Sequence, residues 1–144
     1  MKFLLIENHK LALDENVNLK LKRWQVPENE FTEKEKVTLS RIMSHTSGLS
    51  TSGFQGYCIK DSIPTLIEIL RGSEIINSEP VRVVQKPGES ELYSGGGMEV
   101  LHMLMEDVSG KEFHQLLDDL VLSPTGMKSS SFKFPLPEAL RKLT

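Results

Sequence analysis

Tyr93-Ser94-Gly95-Gly96-Gly97-Met98-Glu99-Val100-Leu101-His102-Met103-Leu104-Met105-Glu106-Asp107-Val108-Ser109-Gly110 is the stretch on which the fold turns. Leu101, Leu104, Met105 and Val108 recur at helical spacing, so the segment predicts an amphipathic helix with Gly110 as its stop. Three consecutive glycines are costly inside a helix, and here they imply a close backbone approach or a sharp entry into one. A helix N-terminus offers unpaired amides and the positive end of a dipole, so the phenol of Tyr93 sits where an anion or phenolate is favoured. The alternative is that the Tyr93 ring simply packs and the glycines make a turn.

Working outward, Ser62 is placed to cap a second helix. Pro64 suits its first turn, Ile63, Leu66, Ile67 and Leu70 form its apolar stripe, and Gly72 ends it. Thr38 can cap a short helix from Leu39 to about Ser44, running into His45-Thr46-Ser47-Gly48-Leu49 with Gly48 as the stop. Residues 50–60 form a loop that Phe54 and Tyr57 can anchor, and Val81, Val83 and Val84 make a short strand or extended approach to the Lys86-Pro87-Gly88 turn. Downstream, Phe113, Leu116, Leu117, Leu120 and Val121 share a helix face that stops before Pro124. Residues 128–144 form a tail with a helical turn at 138–143. At the other end, residues 1–10 read as the end of a truncated helix, and 11–31 as an extended connection across the surface. The expected content is mainly α, with one or two short strands and no internal repeat.

The 144 residues carry 17 basic and 20 acidic side chains, for a formal charge of −3. A chain of this length can bury roughly two thirds of its unfolded surface, enough for one core. The dispersed cations and negative balance argue against nucleic acid as a partner. No apolar run approaches the roughly 20 residues of a bilayer span, and Met1–Ile6 is too short an apolar run for a signal peptide. The single cysteine, Cys58, excludes an internal disulfide and reads as a bystander thiol. Glu99 and His102 have the Glu-x-x-His spacing of carboxylate-bridged metal helices, but the motif has no second copy, so no metal or other cofactor is expected.

The order of motifs carries more than any one of them. Leu11-Ala12-Leu13-Asp14-Glu15-Asn16-Val17, His45-Thr46-Ser47-Gly48-Leu49, Lys86-Pro87-Gly88 leading to Tyr93-Ser94-Gly95, Val108-Ser109-Gly110 and Pro124-Thr125-Gly126-Met127 together resemble the serine β-lactamase family of class C type. That family includes D-alanyl-D-alanine peptidases and esterases. The resemblance runs from about Leu11 to Phe132. It implies the helical lobe of the α/β serine β-lactamase and transpeptidase-like fold, with the central antiparallel sheet mostly missing.

The chemistry implied is acyl transfer. The serine of a Ser-x-x-Lys motif attacks a β-lactam, peptide or ester carbonyl, while the lysine and a tyrosine handle its proton. Tyr93 matches the tyrosine of the family's Tyr-x-Asn motif and is the expected catalytic residue. Ser94 and Gly95 would line the substrate cleft, and His45, Thr46, Ser47 and Gly48 would stabilise their loop. The chain departs from the pattern in three ways. Gly95 stands where the family has asparagine. The family's layout puts Ser-x-x-Lys on the order of ten residues before Met1, and the one such spacing here, Ser130-Ser131-Phe132-Lys133, falls after the last matching helix. No Lys-Thr-Gly-type strand motif occurs.

The expectation is therefore a single partial domain over 1–144, inactive by itself, from a hydrolase acting on a small-molecule acyl substrate. The competing expectation is a non-catalytic binding or scaffolding module whose apolar faces meet a second copy or a partner chain. Neither fixes a cellular compartment.

Overall fold

A computed structural model describes residues 11–58 and 60–141. The expected truncated helix at 1–10 lies outside the described residues. Among the described residues five α-helices are present: α1 (Leu39–Met43), α2 (Leu66–Arg71), α3 (Gly95–Ser109), α4 (Phe113–Leu117) and α5 (Glu138–Arg141). Among the described residues extended pairing is limited to two antiparallel bridges, Asn16 with Thr38 and Leu49 with Val83. The chain is mainly α, as its periodicity predicts.

Helix α3 is the centre of the molecule. Val100, Leu101, Met103, Leu104 and Met105 are all buried, so apolar contact surrounds more of the helix than the predicted stripe alone. Helices α1, α2 and α4 each pack against it. Leu39 and Ile42 of α1, Leu70 of α2 and Leu116 of α4 join the same core. Gly110, left-handed at φ 70°, terminates α3 as expected.

The start of α2 differs from expectation. Thr65 caps it, with its hydroxyl accepting from the Glu68 amide and the Glu68 carboxylate accepting from the Thr65 amide. That reciprocal box satisfies two orphan donors at once, which Ser62 three residues earlier cannot do. Ile63 consequently falls outside the helix and is exposed. Ser44 closes α1 about where expected; His45, at φ 56°, makes a left-handed turn directly after it, and Gly48 is also left-handed, at φ 71°, three residues further on. Gly48 serves a different purpose. A Cβ there would lie 2.0 Å from the Gln85 carbonyl oxygen, so glycine lets the two segments touch. The hydrogen bonds from Val84 N to Gly48 O and from Ser50 N to Arg82 O flank that contact. The valine segment is thus an extended approach rather than a sheet strand.

Downstream, α4 passes into a π-helical turn, Asp118–Leu122, before Pro124. Its first amide, on Phe113, donates to the Glu106 carboxylate at 2.8 Å in place of a cap from Glu112.

The 11–31 segment is more anchored than a surface connection. Leu11, Val17, Leu21, Trp24 and Val26 are buried in the core, and two 3-10 turns, Val17–Leu19 and Glu30–Thr32, shape the path. The side chain of Asn18 ties the path to itself, donating to Val26 O and accepting from Val26 N. The main tether is Asp107 on α3. Its carboxylate is buried and accepts from Lys22 N at 2.7 Å, Arg23 N at 3.3 Å and Arg23 Nε at 2.6 Å. Burial alone would raise the Asp107 carboxyl pKa, but the Lys22 amide and then Arg23 outweigh it and hold the group below the usual carboxylate range. Burial opposes ionisation of Glu106 in the same way, and Arg23 and the Phe113 amide again prevail.

A carboxyl held low in the folded state stabilises above its unfolded pKa and loses that contribution as pH falls through the folded value. Urea midpoints should therefore drop as the pH is lowered below about 4. Asp107→Ala should cost about 3 kcal/mol at neutral pH and flatten that acid dependence; an Asp107→Ala chain as stable as wild type would contradict the tether.

Candidate functional site

The predicted site residues lie at the entry to α3. Ser94 is its N-cap: Oγ accepts from Gly97 N at 2.8 Å and donates to Ser50 O at 2.7 Å. The Ser94 side chain is buried, with both hydrogen bonds directed into the protein. What approaches the glycines is the chain's own backbone. A Cβ on Gly96 would stand 2.7 Å from Ser50 O and 2.9 Å from Val81 Cγ2, and one on Gly95 would stand 3.1 Å from Ser52 O. Residues 50–52 thus lie directly on the first turn of α3.

This packing alters the reading of the helix end as an anion seat. The Gly96 amide donates to Thr51 O at 2.9 Å and the Gly97 amide to Ser94 Oγ, so two of the first amides are already satisfied. The crowding at Ser52 also gives a physical reason for Gly95 at the place where an asparagine is expected. Any side chain would have to clear that carbonyl.

Tyr93 is placed differently. Its side chain is 62% exposed, immediately before the buried cap. Its ring rests on the imidazole of His45, with centroids 4.5 Å apart and planes tilted by 37°. The His45-Thr46-Ser47-Gly48-Leu49 segment is a crossing of main-chain bonds: His45 O accepts from Leu92 N, Thr46 O from Gly88 N, and Gly48 O from Val84 N. The structure therefore brings together Tyr93, Ser94 and Gly95 with His45. Sequence reasoning had assigned His45 only to the stability of its loop, and its left-handed backbone carries no sequence signal of its own.

The other candidates sit elsewhere. His102 lies between two carboxylates of its own helix, Nδ1 3.4 Å from Glu99 and Nε2 3.4 Å from Glu106, and its ring packs 4.2 Å from Phe113. His114 pairs with Glu112 at 3.3 Å. Among the described residues no three His, Cys, Asp or Glu side chains converge as a ligand set for a metal ion. Cys58 is exposed, and its amide donates to Asp61. The Tyr57 hydroxyl accepts from Asn77 N, which anchors the 50–60 loop as predicted. No helix among the described residues is long and apolar enough to cross a membrane.

Residues 3–144 match the family model described as Beta-lactamase. No curated protein is significantly similar in sequence. Among solved structures, the chain is similar to the β-lactamase/D-alanine carboxypeptidase from Yersinia pestis, with a TM-score of 0.73 and 22% identity. That match covers 98% of this chain and 38% of the Yersinia chain. It is also similar to EstCE1, a hydrolase with promiscuous acyltransferase activity, with a TM-score of 0.63 and 25% identity over 85% of this chain and 33% of that one. A third similar structure is the octameric penicillin-binding protein homologue from Pyrococcus abyssi, with a TM-score of 0.62 and 26% identity over 86% of this chain and 28% of that one. The chain thus spans well under half the length of each.

The glycine triplet yields a test of opposite signs. Alanine normally favours a helix over glycine by about 1 kcal/mol. Gly97→Ala, whose Cβ would meet nothing closer than 3.4 Å, should stabilise by up to about that amount. Gly96→Ala should instead destabilise by about 2 kcal/mol as Ser50 is displaced. Equal effects in urea unfolding would show that residues 50–52 do not press on the helix.

Proposed function

The chain belongs to the β-lactamase family, and from that membership we propose that it forms the helical lobe of a class C-type serine hydrolase site, with Tyr93 as the proton-handling phenol. In that reading a serine hydroxyl attacks the carbonyl of a β-lactam, a D-alanyl-D-alanine peptide or an ester. Tyr93 takes the serine proton and returns it to the leaving group. Gly95 borders the acyl substrate, and Ser94 contributes through the backbone it fixes. The described residues pair only in two isolated bridges, the sequence has no Lys-Thr-Gly motif, and its one Ser-x-x-Lys spacing, Ser130–Lys133, falls after the last matching helix. A phenol serves as a base only beside cations that favour its ionised form, so the 144 residues alone bind or position rather than hydrolyse.

The observation that supports this reading is the contrast between neighbours. Ser94 is sealed into the core by two hydrogen bonds, while the Tyr93 phenol next to it is exposed on that fixed backbone. A reactive group needs this combination of access and rigidity.

Incubation with an acylating β-lactam or a fluorophosphonate should leave the intact mass unchanged; a stoichiometric adduct would overturn the claim that the nucleophile is elsewhere. If the reading frame upstream of the Met1 codon continues into Ser-x-x-Lys, the longer chain should be acylated. Tyr93→Phe should then slow that acylation by about 100-fold or more.

A second reading, a non-catalytic module that self-associates or binds a partner chain, draws support from exposed apolar side chains at Leu19, Ile63, Val84, Phe132 and Phe134. The octameric state of the Pyrococcus homologue points the same way. Light scattering should then report a dimer or larger species, and a monomer would count against it.

A further inference from the structure

His45 touches the Tyr93 segment three times. Its carbonyl oxygen accepts from Leu92 N at 2.7 Å, its Nδ1 accepts from Ser94 N at 3.3 Å, and its ring lies against the Tyr93 ring. The two amides that flank Tyr93 in the chain are thus both held by one residue. His45 makes these contacts at φ 56°, in the left-handed region that few non-glycine residues enter, asparagine, aspartate and histidine more often than the rest. Such a conformation persists only where the surroundings impose it, and it is a reason to look for a function.

We propose that His45 is a positioning residue for Tyr93, acting as a neutral imidazole with its proton on Nε2. The assignment of the proton follows from chemistry: an amide N–H is a donor, so the ring nitrogen facing it must offer a lone pair, and in a neutral imidazole the other nitrogen then carries the hydrogen. The two contacts divide the task. The Nδ1 bond fixes the backbone between Leu92 and the Ser94 cap, and the ring contact selects the side-chain direction of Tyr93. This deepens the site reading and rests on it for the importance of Tyr93, but the clamp itself is measurable in the chain as it stands, whether or not an acyl ligand binds.

Two substitutions separate the contacts. Asparagine tolerates left-handed backbone and carries Oδ1 near the place of Nδ1, so His45→Asn keeps the acceptor and loses the ring. His45→Phe keeps a ring and loses the acceptor. Long-range proton–nitrogen NMR correlations of the wild-type chain should show His45 with a bare Nδ1 and a protonated Nε2. In His45→Phe the Ser94 amide should exchange about tenfold faster than in wild type, with ring-current shifts on Tyr93 retained. In His45→Asn the Ser94 amide should keep its protection, while the Tyr93 ring resonances lose those shifts and average over rotamers. A hydrogen on Nδ1 in the wild-type chain would overturn the proposal, and that measurement stands even if His45→Phe does not fold. So would Ser94 protection in His45→Phe equal to wild type, or Tyr93 resonances in His45→Asn that do not move.

Discussion

The carbonyl of Ser50 occupies the place a side chain on Gly96 would need, and the arrangement around α3 follows from that close approach. With no Cβ at this position, residues 50–52 lie on the helix's first turn. Ser50 O then takes the Ser94 hydroxyl, and Thr51 O takes the Gly96 amide. Ser50 also holds the other side of the crossing: its hydroxyl accepts from Arg82 N and its amide donates to Arg82 O. One residue therefore joins the start of the central helix to the 82–84 segment. The glycine triplet costs helix propensity, and the offset is this set of satisfied backbone groups in a buried place, where an orphaned donor would cost about 1–3 kcal/mol.

The opposite end of α3 is secured by charge rather than by closeness. Asp107 gathers two backbone amides and the Arg23 guanidinium at a buried carboxylate, which draws the 11–31 segment onto the helix. Next to it, Glu106 accepts from Arg23 and from the first amide of α4. The two adjacent acids thus link α3 to the segment before it and to the helix after it. Apolar burial supplies the core, and these polar contacts select which segments lie against it.

Much of this was legible in the amino-acid sequence, wherever a local rule governs. The periodicity of Leu101, Leu104, Met105 and Val108, the stop at Gly110 and the cap at Thr38 depend on residues within a turn or two of each other. Tyr93, Ser94 and Gly95 stood out because three glycines are rare in a helix. What escaped depends on partners far along the chain. Thr65 displaces Ser62 as a cap because Glu68 completes its box. His45 joins Gly48 in the left-handed region, and Leu92 and Ser94 hold it there from nearly fifty positions away. Asp107 drew no reading of its own because Lys22 and Arg23 meet it across 85 and 84 positions. No spacing rule encodes such a meeting.

The same distinction separates where Tyr93 is held from what it could do. Its placement depends on His45, the Ser94 cap and the Ser50 carbonyl, all contained within this chain, whereas the acidity of a phenol depends on charges around it. Position and reactivity are thus set by different residues. Of the two, position requires the larger number of cooperating contacts, since a shift of about 1 Å in a reacting group can cost a hundredfold in rate. The buried hydrogen bonds at the start of α3 accordingly lie just behind an exposed side chain. Under the proposed acyl-transfer role those bonds would fix where the phenol stands, and charged groups placed beside it would set how readily it gives up its proton.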